Sequence, residues 1–131
     1  MKQTFRKEER LSKKILIGEL FRKGLSIYSY PIKLLWIKTS LPQPVPVQVL
    51  IIVPKHHLKK AVSRNLVKRR IREAYRKNKA SLSAWLSGKP YGLCITLHYT
   101  AKNIEDYSLI QGKIILLLQR LTEEPDLKGN P

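Results

Sequence analysis

The chain has 131 residues, enough for one domain with one core and too few for two domains of usual size. Hydrophobic residues make up 43% of it, while 26 Lys and Arg against 9 Asp and Glu leave a formal charge of +17. So basic a domain favours a polyanionic partner, and nucleic acid is a stronger candidate than an anionic membrane surface. The longest apolar runs, 49–53 and 114–118, are far shorter than the ~20 residues of a membrane span, so we expect no membrane partner.

Residues 1–14 are charged and lack a following apolar segment, so the sequence predicts no secretory signal and a cytoplasmic location. The single cysteine, Cys94, can form neither an internal disulfide nor a cysteine zinc site, which suits a reducing compartment. We expect one domain over 1–131, in which residues 1–10 form a basic arm and residues 123–131 a disordered tail.

In chain order, the first predicted element is a helix over residues 12–23, with Ser12 as its N-cap and Gly24 just past its end. β-Branched and aromatic residues then predict a strand over 31–38. Apolar residues at both odd and even positions predict a second strand over 46–53 that is covered on both faces.

A basic helix follows from residue 59 or 60 to 78, and the pattern allows it to continue through 81–87. Strict alternation predicts a third strand over 91–99, and Asn103 is the expected N-cap of a last helix over 104–122. The predicted order is helix, two or more strands, helix, strand and helix. This order is typical of an α+β domain with one sheet and helices packed on it.

The basic helix divides into two edges. At about 100° per residue, its apolar side spans an arc of about 80° that should face the sheet and holds Ser63, Val67, Ile71, Ala74 and Asn78, with Tyr75 at its edge. The opposite arc of about 140° holds only polar, mainly cationic groups. Its members are Arg64, Asn65, Lys68, Arg69, Arg72 and Arg76. Like charges four residues apart weaken an isolated helix, so this arc indicates phosphate binding rather than a merely solvated face.

Other candidates point to no catalytic side chain. His56 and His57 are adjacent, so in extended chain they would point to opposite sides; a modest part in phosphate binding is favoured over a shared metal site. No two carboxylates resemble an acid and base paired in an apolar pocket. The aromatic residues Phe21, Tyr28, Tyr30 and Trp36 are either core residues or a stacking surface for an unpaired strand between the first helix and the sheet.

Seven residues of the basic helix stand at the spacing AVxRNxxKRxxR: Ala61, Val62, Arg64, Asn65, Lys68, Arg69 and Arg72. Upstream, Arg10 and Leu11 precede a helix that ends with Phe21 and Gly24. In these residues the chain resembles the protein subunits of bacterial ribonuclease P. The resemblance extends over roughly residues 4–80.

This resemblance implies an αβββαβα order, an uncommon left-handed βαβ crossover around the basic helix, and kinship with a ribosomal protein domain. It implies an accessory role in removing the 5′ leader of precursor tRNA, while ribonuclease P RNA performs the hydrolysis with Mg²⁺. The implied partners are that RNA and precursor tRNA, with no obligate protein partner and no dedicated metal ligands on the protein. We assign RNA binding to Lys59, Lys60, Arg64, Asn65, Lys68, Arg69, Arg72 and Arg76. The leader groove is assigned to Phe21, Tyr28, Lys33 and Trp36.

The chain departs from the family pattern at three places. Leu66 stands where the family commonly has a second Arg, Lys59 and Lys60 replace a glycine, and Ile17 occupies an aromatic position of the first helix. The main rival hypothesis is a ribosomal or other structural RNA-binding protein without a role in cleavage. A DNA-binding regulator fits less well because the basic helix follows a strand, and a free-standing nuclease fits less well because metal ligands are missing.

Overall fold

Eight helices and strands make up the part of the chain that the computed structural model describes, residues 5, 9–40 and 45–124. They are α1 (Lys14–Lys23), β1 (Leu25–Ser29), β2 (Ile32–Ser40), β3 (Val47–Ile52), α2 (Ala61–Asn78), α3 (Ala80–Leu86), β4 (Tyr91–Tyr99) and α4 (Tyr107–Leu121). The order is the expected αβββαβα, with the short helix α3 added after α2, from which Lys79 separates it. None of the described helices has the length and apolarity that a membrane-spanning helix requires.

The four strands form one sheet in the order β1-β2-β4-β3. β1 with β2 and β2 with β4 are antiparallel pairs, whereas β3 runs parallel to β4. A tight turn cannot join parallel neighbours, so the chain leaves β3, passes through α2 and α3, and returns as β4. The left hand that the resemblance implies for this crossover stays a prediction.

One face of the sheet carries the larger core, beneath α2, α3 and α4. On β4, the side chains of Leu93, Ile95, Leu97 and Tyr99 all belong to this core, which confirms the predicted alternation of that strand. From α4, residues spaced by three and four complete it, as the sequence predicts: Ile110, Ile114, Leu117, Leu118 and Leu121.

The opposite face of the sheet is covered by α1. Leu20 of α1 packs there with Leu35 of β2 and Cys94 of β4. Strand β3 contributes to both faces, since Val49 belongs to the larger core and Leu50 packs against the cluster under α1. The prediction that the second strand is covered on both sides is therefore confirmed.

The described residues of the N-terminal arm lie against α2. The ring of Phe5 meets that of Tyr75 edge-on, with ring centroids 5.9 Å apart, and Glu9 forms an ion pair with Lys79 in a poorly exposed position. Arg10 forms an isolated parallel bridge with Val49 of β3, and residues 1–4 and 6–8 of the predicted arm lie outside the described ranges. Of the predicted tail, only residues 123 and 124 are described, and each donates a backbone hydrogen bond to the end of α4.

The strand predicted over residues 31–38 is instead part of a hairpin of two strands. A turn at Tyr30 and Pro31, which a cis peptide bond joins, separates β1 from β2. The sequence prediction missed β1 because residues 25–29 show no clean alternation of apolar and polar side chains.

Both predicted helix caps were wrong. The N-cap of α1 is Lys13 rather than Ser12, and its side chain makes no capping hydrogen bond. At α4 the cap is Asp106 rather than Asn103, and the Asp106 carboxylate accepts a hydrogen bond of 3.0 Å from the backbone N–H of Leu109. An aspartate there also suits the positive end of the helix dipole.

The buried thiol of Cys94 generates a prediction about reactivity. Burial raises its pKa to about 11, and its Sγ donates a long contact of 4.0 Å to Gln48 Oε1. Because the thiolate is the reacting form, we expect iodoacetamide at pH 8 to label the native chain at least ~100-fold more slowly than the chain unfolded in guanidinium. The labelling rate can be followed by mass spectrometry, and equal rates for the two states would show that Cys94 is accessible.

Candidate nucleic-acid interface

The apolar edge of helix α2 is buried and its cationic edge is exposed or partly exposed, as the sequence predicts. Val67, Ile71 and Ala74 are fully buried beneath it, and Tyr75 joins them in the core. The predicted RNA-binding residues of α2 all keep part or most of their side chains in solvent: Arg64, Asn65, Lys68, Arg69, Arg72 and Arg76. Lys59 and Lys60, just before the helix, are exposed as well.

Arg64 has a structural task besides its charge. Its Nη1 donates hydrogen bonds of 2.9 Å to the carbonyl oxygens of Leu58 and Lys59, in the segment that leads into α2. A guanidinium has five N–H donors, so this contact leaves others for a phosphate. Arg64 therefore fixes the path of the chain beside Lys59 and Lys60 while it contributes to the positive face.

Arg76 differs from the other cations because it shares its charge with an acid. Its Nε and Nη2 donate to the two carboxylate oxygens of Glu73 at 2.9 and 2.7 Å, and Lys77 Nζ lies 3.8 Å from Glu73 Oε2. The hydrogen bonds from Arg76 hold the pKa of the Glu73 carboxyl below its usual range. The outward arc is thus less free of acid than the sequence suggested, and a phosphate at Arg76 would compete with Glu73.

On the flank of α2 that overhangs β3, Lys68 and Arg72 meet a residue that sequence reasoning did not place at the site. A groove of about 270 Å³ lies there, and Arg10 lines it together with them. The Arg10 guanidinium lies 5.7 Å from the centre of the Phe5 ring, and no acid is among the described residues that line the groove. We call this the β3 groove, with Lys68, Arg72 and Arg10 as its cations. In the sequence, Arg10 stood out only as part of the basic arm and as the residue that precedes Leu11 in the family resemblance.

A second set of predicted residues gathers on the sheet face that bears α1. Tyr28 pairs in register with Lys33, and Lys33 pairs with His98, so the three side chains lie in one row on that face. Tyr28 is 51% exposed, and Phe21 on the neighbouring helix α1 is 49% exposed. An exposed ring beside a lysine, with a second exposed ring on α1, offers a surface that an unpaired RNA strand can stack on.

Three histidines lie near the end of this row. His56 and His57 occupy a turn rather than extended chain, and their rings are 4.3 Å apart, so the expectation that they point to opposite sides was wrong. Burial lowers the pKa of His98, and the nearby charges of Lys33, His57 and His56 lower it further. No group of three or more His, Cys, Asp and Glu that could hold a metal ion occurs within the described ranges.

Trp36 does not belong to the predicted leader groove. It is 3% exposed and belongs to the larger core, on the face of β2 opposite to Leu35 and α1. Neighbouring residues of a strand point to opposite faces, so Lys33 and Leu35 face α1 while Leu34 and Trp36 face away from it. The assignment of Trp36 to the leader groove is therefore corrected: its ring is core.

These features define a small basic α+β domain with a cationic helix built to contact nucleic acid. The chain matches the model of the family described as Ribonuclease P over residues 5–122. It is 30% identical over 105 residues to a ribonuclease P protein component of Porphyromonas gingivalis, covering 80% of this chain and 77% of that protein. A ribonuclease P protein component of Petrotoga mobilis is 31% identical over 124 residues, covering 91% and 96%. The chain belongs to the ribonuclease P protein family.

Solved structures agree with this assignment. The ribonuclease P protein from Thermotoga maritima superimposes with a TM-score of 0.64 at 26% identity, covering 86% of this chain and 96% of that one. The protein from Staphylococcus aureus also gives a TM-score of 0.64, and its identity of 21% supports the fold alone. The alternative of a ribosomal or other structural RNA-binding protein is not favoured.

The different burial of the two aromatic residues predicts different effects of truncation. We expect Trp36→Ala to lower the free energy of unfolding by about 3–5 kcal/mol because it leaves a cavity in the larger core. Phe21→Ala should change it by no more than about 0.5 kcal/mol, as is usual for surface positions. Urea unfolding followed by circular dichroism measures both, and a small loss for Trp36→Ala would return this ring to the list of groove residues.

Proposed function

We propose that the chain binds ribonuclease P RNA and the 5′ leader of precursor tRNA, and so assists the cut that produces the mature 5′ end. The observation that carries the proposal is the arrangement of α2. Its family signature residues are exposed or partly exposed, while Val67 and Ile71, which lie between them in the sequence, are fully buried. The helix is packed on the core through its buried edge, and its cations are exposed or partly exposed to solvent, where a folded RNA can reach them.

The two surfaces suit two different parts of the RNA. Around α2 the side chains are cationic and polar, which suits the phosphates of a folded, largely double-stranded RNA. On the α1 face of the sheet, Tyr28 exposes its ring next to Lys33 and helix α1 exposes the ring of Phe21, which suits an unpaired leader. We therefore assign the catalytic RNA to α2 and the leader to this row.

The contribution to the reaction is electrostatic and positional. Each Lys or Arg that meets a phosphate releases condensed counterions, and this strengthens binding more at low salt than at high salt. We assign the hydrolysis and the use of Mg²⁺ to the RNA. The protein holds the leader beside the RNA, so that substrate with a leader binds more tightly than mature tRNA.

A reconstitution tests this function. Purified chain is added to ribonuclease P RNA from the same source and to precursor tRNA at low Mg²⁺, and 5′-end cleavage is measured over time. We expect the chain to lower the concentration of precursor tRNA needed for half-maximal cleavage at least about tenfold. Cleavage that is no faster and no tighter than with RNA alone would refute the proposal.

The β3 groove generates a second prediction about binding. Arg72 is exposed, and among the described residues it has no ion-pair or hydrogen-bond partner, so we expect Arg72→Ala to remove one phosphate contact. The slope of log affinity for the RNA against log salt concentration should then decrease in magnitude by about one.

Lys113→Ala is the matched control for Arg72→Ala. Lys113 lies seven residues before Arg120, which places both residues on the same flank of α4. Arg120 donates a 3.0 Å hydrogen bond from this flank to the Tyr28 carbonyl on β1. This flank faces away from α2. Equal slopes for both variants would show that Arg72 is not a phosphate contact.

A further inference from the structure

A second groove lies on the other flank of α2, where this helix meets α4. It has a volume of about 380 Å³ and is lined by Leu66, Arg69, Arg70, Glu73, Lys77 and Tyr107. We call it the α2/α4 groove. Leu66, which stands where the family commonly has an Arg, is partly exposed here and belongs neither to the core nor to the cationic arc.

The walls of the α2/α4 groove are fixed by hydrogen bonds that do not involve RNA. Arg70 Nη1 donates to the Glu105 carbonyl oxygen at 2.6 Å, which ties α2 to the segment before α4. The Tyr99 hydroxyl donates to the Asn103 carbonyl at 2.7 Å and accepts from the Glu105 N–H at 3.0 Å. The groove is therefore formed before any ligand arrives, which lowers the entropy that binding must cost.

The lining of the groove combines three kinds of chemistry. Leu66 and the Tyr107 ring supply apolar surface. The cations are Arg69, Arg70 and Lys77, of which Arg69 is exposed and without a partner among the described residues. Glu73 supplies carboxylate oxygens. The hydrogen bond from Arg76 lowers the pKa of this carboxyl and so favours its ionised form. A volume of about 380 Å³ is within the range of about 300–1,000 Å³ that is usual for small-ligand pockets.

This combination distinguishes a nucleobase from a bare phosphate. A bare phosphate would meet the cations of the groove alone, and it would make no use of the apolar surface of Leu66 and the Tyr107 ring. A nucleobase has two apolar faces that can lie on a leucine and an aromatic ring, and its exocyclic amino group can donate to a carboxylate. The phosphate of the same nucleotide would then lie at the rim, within reach of a cation such as Arg69.

We propose that the α2/α4 groove takes one unpaired nucleobase of the RNA that lies along α2. The base packs on Leu66 and the Tyr107 ring, its amino edge faces Glu73, and its phosphate meets Arg69. This inference rests on the proposed function, because it requires RNA along α2. In this chain Leu66 thus contributes an apolar contact in place of the ionic contact of a family Arg.

The test compares Leu66→Ala with wild type in binding to ribonuclease P RNA. We expect the affinity to fall about fivefold to tenfold, with no change in the salt slope, because no counterion-releasing group is lost. Leu116→Ala is the matched control: Leu116 is 39% exposed and lies nine residues from Tyr107, on the opposite side of α4. It should bind like wild type.

Chemical probing of the RNA gives a readout that a purely structural role of Leu66 would not change. Dimethyl sulfate and a carbodiimide modify the pairing edges of unpaired bases. We expect wild type to protect one such base, and Leu66→Ala to leave it reactive while hydroxyl-radical protection of the backbone elsewhere stays the same. Leu66→Trp, which fills the groove from a partly exposed position, should expose the same base and guards against a cavity effect in the alanine variant.

The outcomes separate the two proposals. If wild type binds the RNA and base reactivity is the same with the Leu66 variants, the nucleobase site is overturned and the proposed function stands. If Leu66→Ala loses backbone protection everywhere or lowers the salt slope, Leu66 acts through the fold or through neighbouring cations, and the inference is equally overturned. If wild type does not bind the RNA, the proposed function fails first and the inference falls with it.

Discussion

Helix α2 must bury a narrow apolar edge while it carries seven Lys and Arg residues, and the rest of the structure depends on how this is done. Fully burying a side chain such as Val67 or Ile71 stabilises the fold by about 1.5–3 kcal/mol. Each like-charged pair four residues apart, such as Lys68 and Arg72, costs only about 0.2–0.5 kcal/mol. Burial therefore outweighs repulsion along the helix, and α2 stays on the sheet with its cations held outward.

The cations of α2 fall into two groups with different physical roles. Arg64, Arg70 and Arg76 each donate to an oxygen of this chain, and so part of their charge stabilises the fold. Lys68 and Arg72 have no such partner among the described residues and keep their charge for an external anion. The sequence shows all of them as equivalent basic positions. Only the tertiary contacts distinguish the structural cations from those that remain available to RNA.

The sequence predicted those features that depend on one element alone. The buried edge of α2 and the alternation of β4 follow from periods of 3.6 and 2, and both were confirmed. The face of the sheet to which Trp36 points could not be predicted in this way. β2 has apolar residues at both odd and even positions, and helices cover both faces of the sheet. The start of α4 was equally out of reach, since Asn103 and Asp106 are both good caps. The Tyr99 hydroxyl holds Asn103 and Glu105 outside the helix, and this is a tertiary contact.

The two flanks of α2 differ because of the topology of the sheet. β3 is an edge strand, and beyond it lies the described part of the N-terminal arm, where Arg10 forms a bridge with Val49 and the Leu11 N–H donates a 2.8 Å hydrogen bond to the Val49 carbonyl. On this side none of the described helices packs against α2, and the side chain of Lys68 is partly exposed to water. The other flank meets α4, where an unpaired buried cation would be costly, and Arg70 accordingly finds the Glu105 carbonyl.

A crossover helix between an edge strand and its neighbour thus acquires one open flank and one closed flank. The open flank can accept phosphates, because no acid is among the described residues that line the β3 groove. The closed flank can form a pocket with an apolar floor, since α4 supplies the second wall. Leu66 lies on the closed flank, where an arginine would need a partner and a leucine needs only an apolar neighbour such as the Tyr107 ring.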